Sequence, residues 1–270
     1  MRAIRKIAVV SSVLAGAVVA AGLPASAASA PAFVAYHGVS ASEQTAKFTQ
    51  LRAQGYRPIS VNVSDGGRYA AVWIKGGSSA WSLYQGMSAA GFQKRFDQQL
   101  KAGLQPVDIS VTGSGDSAVY AAIFEKKGTR FEARSALTPD AFAAANQRAV
   151  GQGLALTSVD VYGTPDAPRY AAVWSANTGG AWYYTYGKSS AQHQAEFDAR
   201  VKKGYRPVDV AVGPDGTYTA VWRKDGLKSW ASYVEMDAAG YQKRFDQLKA
   251  KGLYPVEVNA ENGKYAAVFQ

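Results

Sequence analysis

The sequence has no cysteine and only two histidines among its 270 residues. That excludes a disulfide framework, a thiol nucleophile and a thiolate metal site. It also leaves little for a metal cluster or an imidazole-centred acid–base device. Charged residues amount to 19%, with acidic ones fewer than basic, 20 against 30. Long apolar runs are missing apart from one near the start. Ile7 to Leu23 is apolar or small throughout, follows Arg2, Arg5 and Lys6, and runs into Pro24 and Ala25-Ser26-Ala27. A charged beginning, an apolar middle and a small-residue cleavage motif predict a secretory signal peptide over residues 1–27. The chain is therefore expected to be secreted, extracellular, and without a membrane span once the leader is cut. Setting aside the leader's three basic residues leaves 27 against 20, a charge of +7. That balance suits an anionic wall or membrane surface, and equally plain solubility. No basic run exceeds Lys126-Lys127 or Lys202-Lys203, so nucleic acid is not expected as a partner.

What is abundant is repetition. Gly55, Gly103, Gly153, Gly204 and Gly252 each close a helical segment, at spacings of 48, 50, 51 and 48. After each comes an alternating run (PISVNV, PVDISV, LTSVDV, PVDVAV, PVEVNA), a turn, and a second run of the type RYAAVW or KYAAVF. The pattern divides a single domain, 28–270, into units 33–80, 81–130, 131–181, 182–229 and 230–270, each read as strand, helix, strand, strand. Ser40, Ser88, Thr138, Ser189 and Asp237 share one aligned position and are preferred N-caps. Phe92, Phe96 and Leu100 are spaced for one helix face. Val107, Ile109 and Val111 alternate with Asp108 and Ser110, and Tyr69, Ala71 and Trp73 share a face opposite Ala70 and Val72. The small residue of that aromatic face recurs at Ala122, Ala172, Ala220 and Ala267, which predicts close packing between units. One unit is too small to hold a core alone, so neighbours must bury each other's faces. The expected fold is an α+β repeat protein, a curved array possessing either a closed ring or, alternatively, an open half-ring.

The repeated block carries a resemblance. Gly204-Tyr205-Arg206-Pro207-Val208-Asp209-Val210, Tyr218 to Trp222 and Trp230 to Tyr233 represent it best. The pattern is similar to the bacterial tandem repeat domain, whose repeats precede the serine β-lactamase-like domain of secreted polyglycine hydrolases. The resemblance implies a repeat scaffold and no catalytic residues to carry over, because the chemistry of those proteins belongs to the hydrolase domain. That domain's Ser-x-x-Lys signature is absent from this sequence, in which no serine has a lysine three residues on.

The remaining chemistry is sparse. His193 falls at a polar middle position of its helix and His37 in the first strand, neither with an aligned counterpart; both read as surface or structural. His193 and Glu196 lack a third ligand, so no metal or other cofactor is expected. Asp97, Asp198 and Asp246 recur on helices, and Asp108, Asp209 and Glu257 on strands. Recurrence once per unit favours solvated faces or salt bridges to neighbours such as Arg95 and Arg244 over a catalytic pair. Asp116 and Asp215 lack the spaced oxygen ligands of a calcium loop. Aromatic residues recur in register, and the candidate ligand-binding set is Trp81, Tyr84, Trp182, Tyr184, Trp230 and Tyr233. Such rings either fill the interfaces between units or form an exposed row that stacks on sugars or extended peptides.

The expected function is a secreted, non-catalytic binding or scaffold module for a cell-wall glycan, an extended Gly-rich peptide or a protein partner. Two alternatives stand beside it. One is a carboxylate-dependent hydrolase, with Asp108, Asp209 and Glu257 converging at a ring centre. The other is a partner or inhibitor of a separately encoded secreted hydrolase.

Overall fold

The computed structural model describes residues 30–177 and 179–270. The leader expected over residues 1–27 lies outside them. Each unit is a three-stranded antiparallel sheet with one helix. The first strands are β1 (Phe33–Val39), β4 (Trp81–Met87), β7 (Phe131–Leu137), β10 (Trp182–Lys188) and β13 (Ala231–Met236). The helices are α1 (Ala41–Ala53), α2 (Ala89–Lys101), α3 (Pro139–Gly151), α4 (Ser190–Lys202) and α5 (Ala238–Lys249). The second strands are β2 (Tyr56–Ser64), β5 (Gln105–Thr112), β8 (Leu154–Thr164), β11 (Arg206–Val212) and β14 (Pro255–Glu261). The third strands are β3 (Arg68–Lys75), β6 (Val119–Glu125), β9 (Ala167–Ala176), β12 (Tyr218–Arg223) and β15 (Lys264–Phe269). In every sheet the third strand is central, with the first and second at its two edges.

Local chemistry fixes the boundaries. All five expected N-caps accept a backbone N–H three residues on, and Ser40 with Glu43 and Ser189 with Gln192 complete reciprocal capping boxes. At the other end Gly204 turns the chain out of α4 at φ 82°, a left-handed conformation that costs glycine little. α2 departs from the expected face. Phe92 is buried and Phe96 half-buried, but Leu100 is 39% exposed. Two steps of four residues drift about 80° around a helix, and Leu104, beyond the closing glycine, packs against the core instead.

Five apolar clusters hold the units together, each shared by consecutive units. Tyr69, Ala71 and Trp73 of unit one, covered by Leu51 of α1, pack on Ala121 and Ile123 of unit two. The pattern passes through units two and three, three and four, and four and five. Unit five then packs Tyr241, Leu248, Tyr265 and Phe269 against Ala70 and Val72 of unit one. The array is therefore a closed ring. It is not a closed barrel, because every sheet stays three-stranded and units meet through side chains. Each apolar face is covered twice, by the unit's own helix and by the next sheet. Three buried indoles find different hydrogen-bond partners: Trp73 donates to Tyr36 Oη (3.0 Å), Trp174 to Asn146 Oδ1 (2.9 Å) and Trp222 to Thr185 Oγ1 (3.2 Å). Units two and five place Phe124 and Phe269 there, with no N–H to satisfy.

Candidate functional site

The second strand of each unit has β-sheet hydrogen bonding on one side only. Its other side faces the ring axis, where the five second strands adjoin one another in the order β2, β5, β8, β11, β14 and back to β2. Alternation sends the valines into the clusters and the polar residues inward. Aligned inward positions form three tiers: Ser60, Asp108, Ser158, Asp209 and Glu257; then Asn62, Ser110, Asp160, Ala211 and Asn259; then Ser64, Thr112, Tyr162, Gly213 and Glu261.

An edge strand in a buried place leaves backbone N–H groups that need acceptors. Side chains of the adjoining unit supply them. Val61 N–H donates to Asp108 Oδ2 (2.8 Å) and Val63 N–H to Ser110 Oγ (3.0 Å). Val111 N–H donates to Asp160 Oδ2 (2.7 Å), Val159 N–H to Asp209 Oδ2 (3.2 Å) and Val212 N–H to Asn259 Oδ1 (2.9 Å). The closing joint is made in the same way, by Val258 N–H to Ser60 Oγ (3.3 Å) and Ala260 N–H to Asn62 Oδ1 (3.1 Å). Where Ala211 offers no oxygen, Val161 N–H turns to Asp160 Oδ1 (2.9 Å) of its own strand. Units that are not neighbours also touch across the axis. Asn259 Nδ2 donates to Asp160 Oδ1 (2.9 Å), and Thr112 Oγ1 to Glu261 (3.1 Å). The axis is thus spanned by side chains.

Five carboxyls meet here: Asp108, Asp160, Asp209, Glu257 and Glu261. No lysine, arginine or histidine forms a salt bridge or hydrogen bond with any of them among the described residues. Burial, reinforced by the neighbouring carboxyls, pushes Asp108 and Glu261 up to about 7 and holds Asp209 and Glu257 well above the usual range. Burial likewise raises Asp160 to about 6, against the pull of its bonds to Asn259, Val111 and Ser110. Away from the axis, the buried Glu125 is paired with Arg57 (2.7 Å) and Lys127 (2.8 Å).

The two aligned carboxylate series therefore part company. Asp97, Asp198 and Asp246 lie on exposed helix faces and accept from Gln93, Gln194 and Gln242 one turn earlier, at 2.9–3.0 Å. Arg95 and Arg244 do not reach them; they bond to Gln98 and Gln247. Asp108, Asp209 and Glu257 form none of the salt bridges that their recurrence suggested, and they are withdrawn from the outer surface, Asp209 buried and Asp108 and Glu257 half-buried. They converge on the axis. Asp160 and Glu261 join them and were not singled out from the sequence, although their inward register in the valine alternation marks both. Of the two readings of His193, surface or structural, the structure takes the second. This residue is buried against Tyr218 and Trp222, aligned with Gln44, Phe92, Phe142 and Tyr241, and burial lowers its pKa to about 4. His37 packs on Tyr241 and Tyr265 and shares a hydrogen bond with Gln242 (3.2 Å). Glu196 pairs with Arg200 (3.0 Å). No group of three or more His, Cys, Asp or Glu side chains among the described residues is arranged to hold a metal ion.

The six aromatic candidates are half-buried and divided among separate joints. Trp81 packs on Trp73 and Phe48 of the previous unit, Trp230 on Phe197, and Trp182 lies beside Tyr184 in the cluster between units three and four. Tyr84 and Tyr233 face their own helices, under the guanidinium groups of Arg95 (4.8 Å) and Arg244 (4.6 Å). Tyr184 instead meets Phe142 edge-on.

A family model described as "Polyglycine hydrolase-like, structural repeat" matches the chain five times, over residues 30–76, 78–127, 128–177, 179–225 and 228–270. No curated protein matches it.

Proposed function

This chain belongs to the polyglycine hydrolase-like structural-repeat family, and from that premise we propose that it serves as a secreted, non-catalytic binding or scaffold module. The observation that carries this reading is the use made of the axial carboxyls. Asp108, Asp160 and Asp209 are occupied as acceptors for backbone N–H groups of the adjoining strand, which is the work of a rigid frame. A frame of this kind holds its outer loops and helix faces in fixed relation and offers them to a partner: a cell-wall polymer, an extended peptide or a secreted protein. The half-buried rings of Trp81, Tyr84, Trp182, Tyr184, Trp230 and Tyr233 would meet such a partner at the joints between units.

One observation favours a second reading. Asp108, Asp209 and Glu257 do converge, with raised pKa values of the kind a general acid needs. Against it stands the use already made of two of them, since Asp108 and Asp209 accept backbone N–H groups of the adjoining strands. The two readings separate in one assay. The protein is incubated with insoluble cell wall, polysaccharides and Gly-rich peptides, and capture and breakdown are followed together. Capture without breakdown is expected. Breakdown that disappears in Asp108→Asn or Glu257→Gln, with folding intact, would replace the scaffold with a hydrolase. Neither capture nor breakdown, combined with co-purification of a secreted hydrolase, would move the proposal to a protein partner.

A further inference from the structure

The topology sorts charge onto the two ends of the ring. Each helix starts beside the hairpin joining second to third strand, and ends beside the loop leading to the next unit. The five hairpins and helix starts therefore lie at one end, and the helix ends and connecting loops at the other. The hairpin end is acidic, with Asp65, Asp116, Asp166 and Asp215 in four of the turns. The opposite end is basic. Lys75, Lys101, Lys126, Lys203, Lys228 and Lys251 are all exposed there and form no salt bridge among the described residues. The acidic groups at that end are already engaged: Glu125 by Arg57 and Lys127, Glu132 by Arg134 and Arg148, and Asp225 by Arg206.

Helix C-termini favour lysine for their own sake, which accounts for Lys101. It does not account for Lys75, which closes β3, or for Lys126 and Lys228 in the connecting loops. A second observation falls on the same end. The exposed large aliphatic side chains of the described residues are Leu100 (39%), Val150 (48%) and Leu227 (40%). Leu100 and Val150 sit in the last turns of α2 and α3, and Leu227 in the loop before β13. None is at the acidic end. Single exposed aliphatics are ordinary; three confined to the basic end, on three successive units, are a pattern.

We propose that the basic end of the ring docks on a bilayer rich in anionic phospholipid, with lysines meeting the headgroup phosphates and Leu100, Val150 and Leu227 reaching the interface below them. The cations are spread over units one, two, four and five rather than along one groove, which fits a charged sheet better than a single polymer strand. Aliphatic groups have no role against a polyanion in water, but gain by leaving water at an interface. This goes beyond the scaffold reading and does not depend on it, since it would hold for a hydrolase as well.

The test is co-sedimentation of the protein with phosphatidylglycerol vesicles, phosphatidylcholine vesicles and soluble inorganic polyphosphate, at low and high salt. Binding to phosphatidylglycerol alone among the vesicles is expected, weakening with salt. The variant Lys126→Glu/Lys203→Glu/Lys228→Glu should lose more than about tenfold, since each lysine near such a surface is worth about fivefold. Arg68→Glu/Lys188→Glu/Lys264→Glu changes the net charge equally at the acidic end and should change binding by less than about twofold. Leu100→Ser/Val150→Ser/Leu227→Ser should weaken vesicle binding and leave any polyphosphate binding untouched. Equal losses from both charge variants would overturn the assignment of the end. Unchanged vesicle binding in the serine variant, or capture of polyphosphate without vesicles, would reassign the face to a linear polyanion. No sedimentation with any vesicle at low salt would remove the idea.

Discussion

Each sheet has two edges, and the molecule treats them differently. The outer edge, the first strand, is broken by a bulge. Register slips after Tyr36, Tyr84, Arg134, Thr185 and Tyr233, and the residues at Gly38, Gly86, Ala136, Gly187 and Glu235 all take positive φ. The inner edge, the second strand, slips register once near its entrance, after Pro58, Pro106, Leu156, Pro207 and Pro255, and closes its N–H groups beyond that point with side chains from the adjoining unit. Bulges and covering are both known remedies for an exposed edge. Their distribution here is instructive. The edge facing outward is interrupted, so it offers no template to another chain; the edge facing inward is the one that specifies which unit sits beside which.

If the inner edge is the specifying one, its loss should cost most. Asp160 accepts from Val111, Val161 and Asn259, and so serves units two, three and five together. Asp160→Ala leaves two buried N–H groups and an amide unsatisfied, at about 1–3 kcal/mol each when nothing relaxes. A loss of about 3–5 kcal/mol in unfolding free energy is expected, read by denaturant titration. A loss under about 1 kcal/mol would mean that the axis is not what holds the ring.

Acidity probes the same edge without mutation. With carboxyls raised to about 6 and about 7, the folded ring holds more protons than the unfolded chain between the ordinary carboxylate range and neutrality. Stability therefore falls as pH rises through that window, and is fully present below it. Going from pH 7 to pH 5 should raise stability by at least about 2 kcal/mol, the share of a single carboxyl raised to about 7, or no less than roughly 4–8 °C in melting temperature for a chain of this size. Asp108→Asn should flatten the profile. A melting temperature that drops on mild acidification would contradict the uncompensated axis.

These edges explain what the residues disclosed beforehand. Helix starts and the turn chemistry at Gly204 are local, and were legible from single side chains. So was the interface role of Tyr69, Ala71 and Trp73, because an aromatic face with an invariant small residue has few other uses. The axis was legible only in part. Asp108 and Ser110 were placed opposite the valines, but whether that side meets water or four other strands depends on closure, which no single unit encodes. For the same reason His193 reads from the sequence as either surface or structural: helical position alone does not reveal that Tyr218 and Trp222 cover it. Leu100 erred the other way, since spacing by four was extended past the point where the helix leaves the sheet.

The outer edge supplies the smaller tests. Gly86 and Ala136 occupy the same bulge position with φ 64° and 57°. A Cβ added at Gly86 would have only Tyr69 Oη within 4 Å, at 3.8 Å, so the space is adequate and the backbone alone resists. Gly86→Ala should cost about 1 kcal/mol, the ordinary penalty of a left-handed L-residue. Ala136→Gly is the reciprocal change. It releases that strain but gives the unfolded chain more freedom, which takes back about 0.4–1 kcal/mol. A gain of at most about 0.5 kcal/mol is expected, with the hydrogen bond from Ala136 N–H to Tyr162 Oη (3.0 Å) retained. The pair measures how much a bulge costs where the sheet is interrupted. If Gly86→Ala proved as damaging as Asp160→Ala, the outer edge would be specifying the ring as strongly as the inner one, and the contrast between the two would collapse.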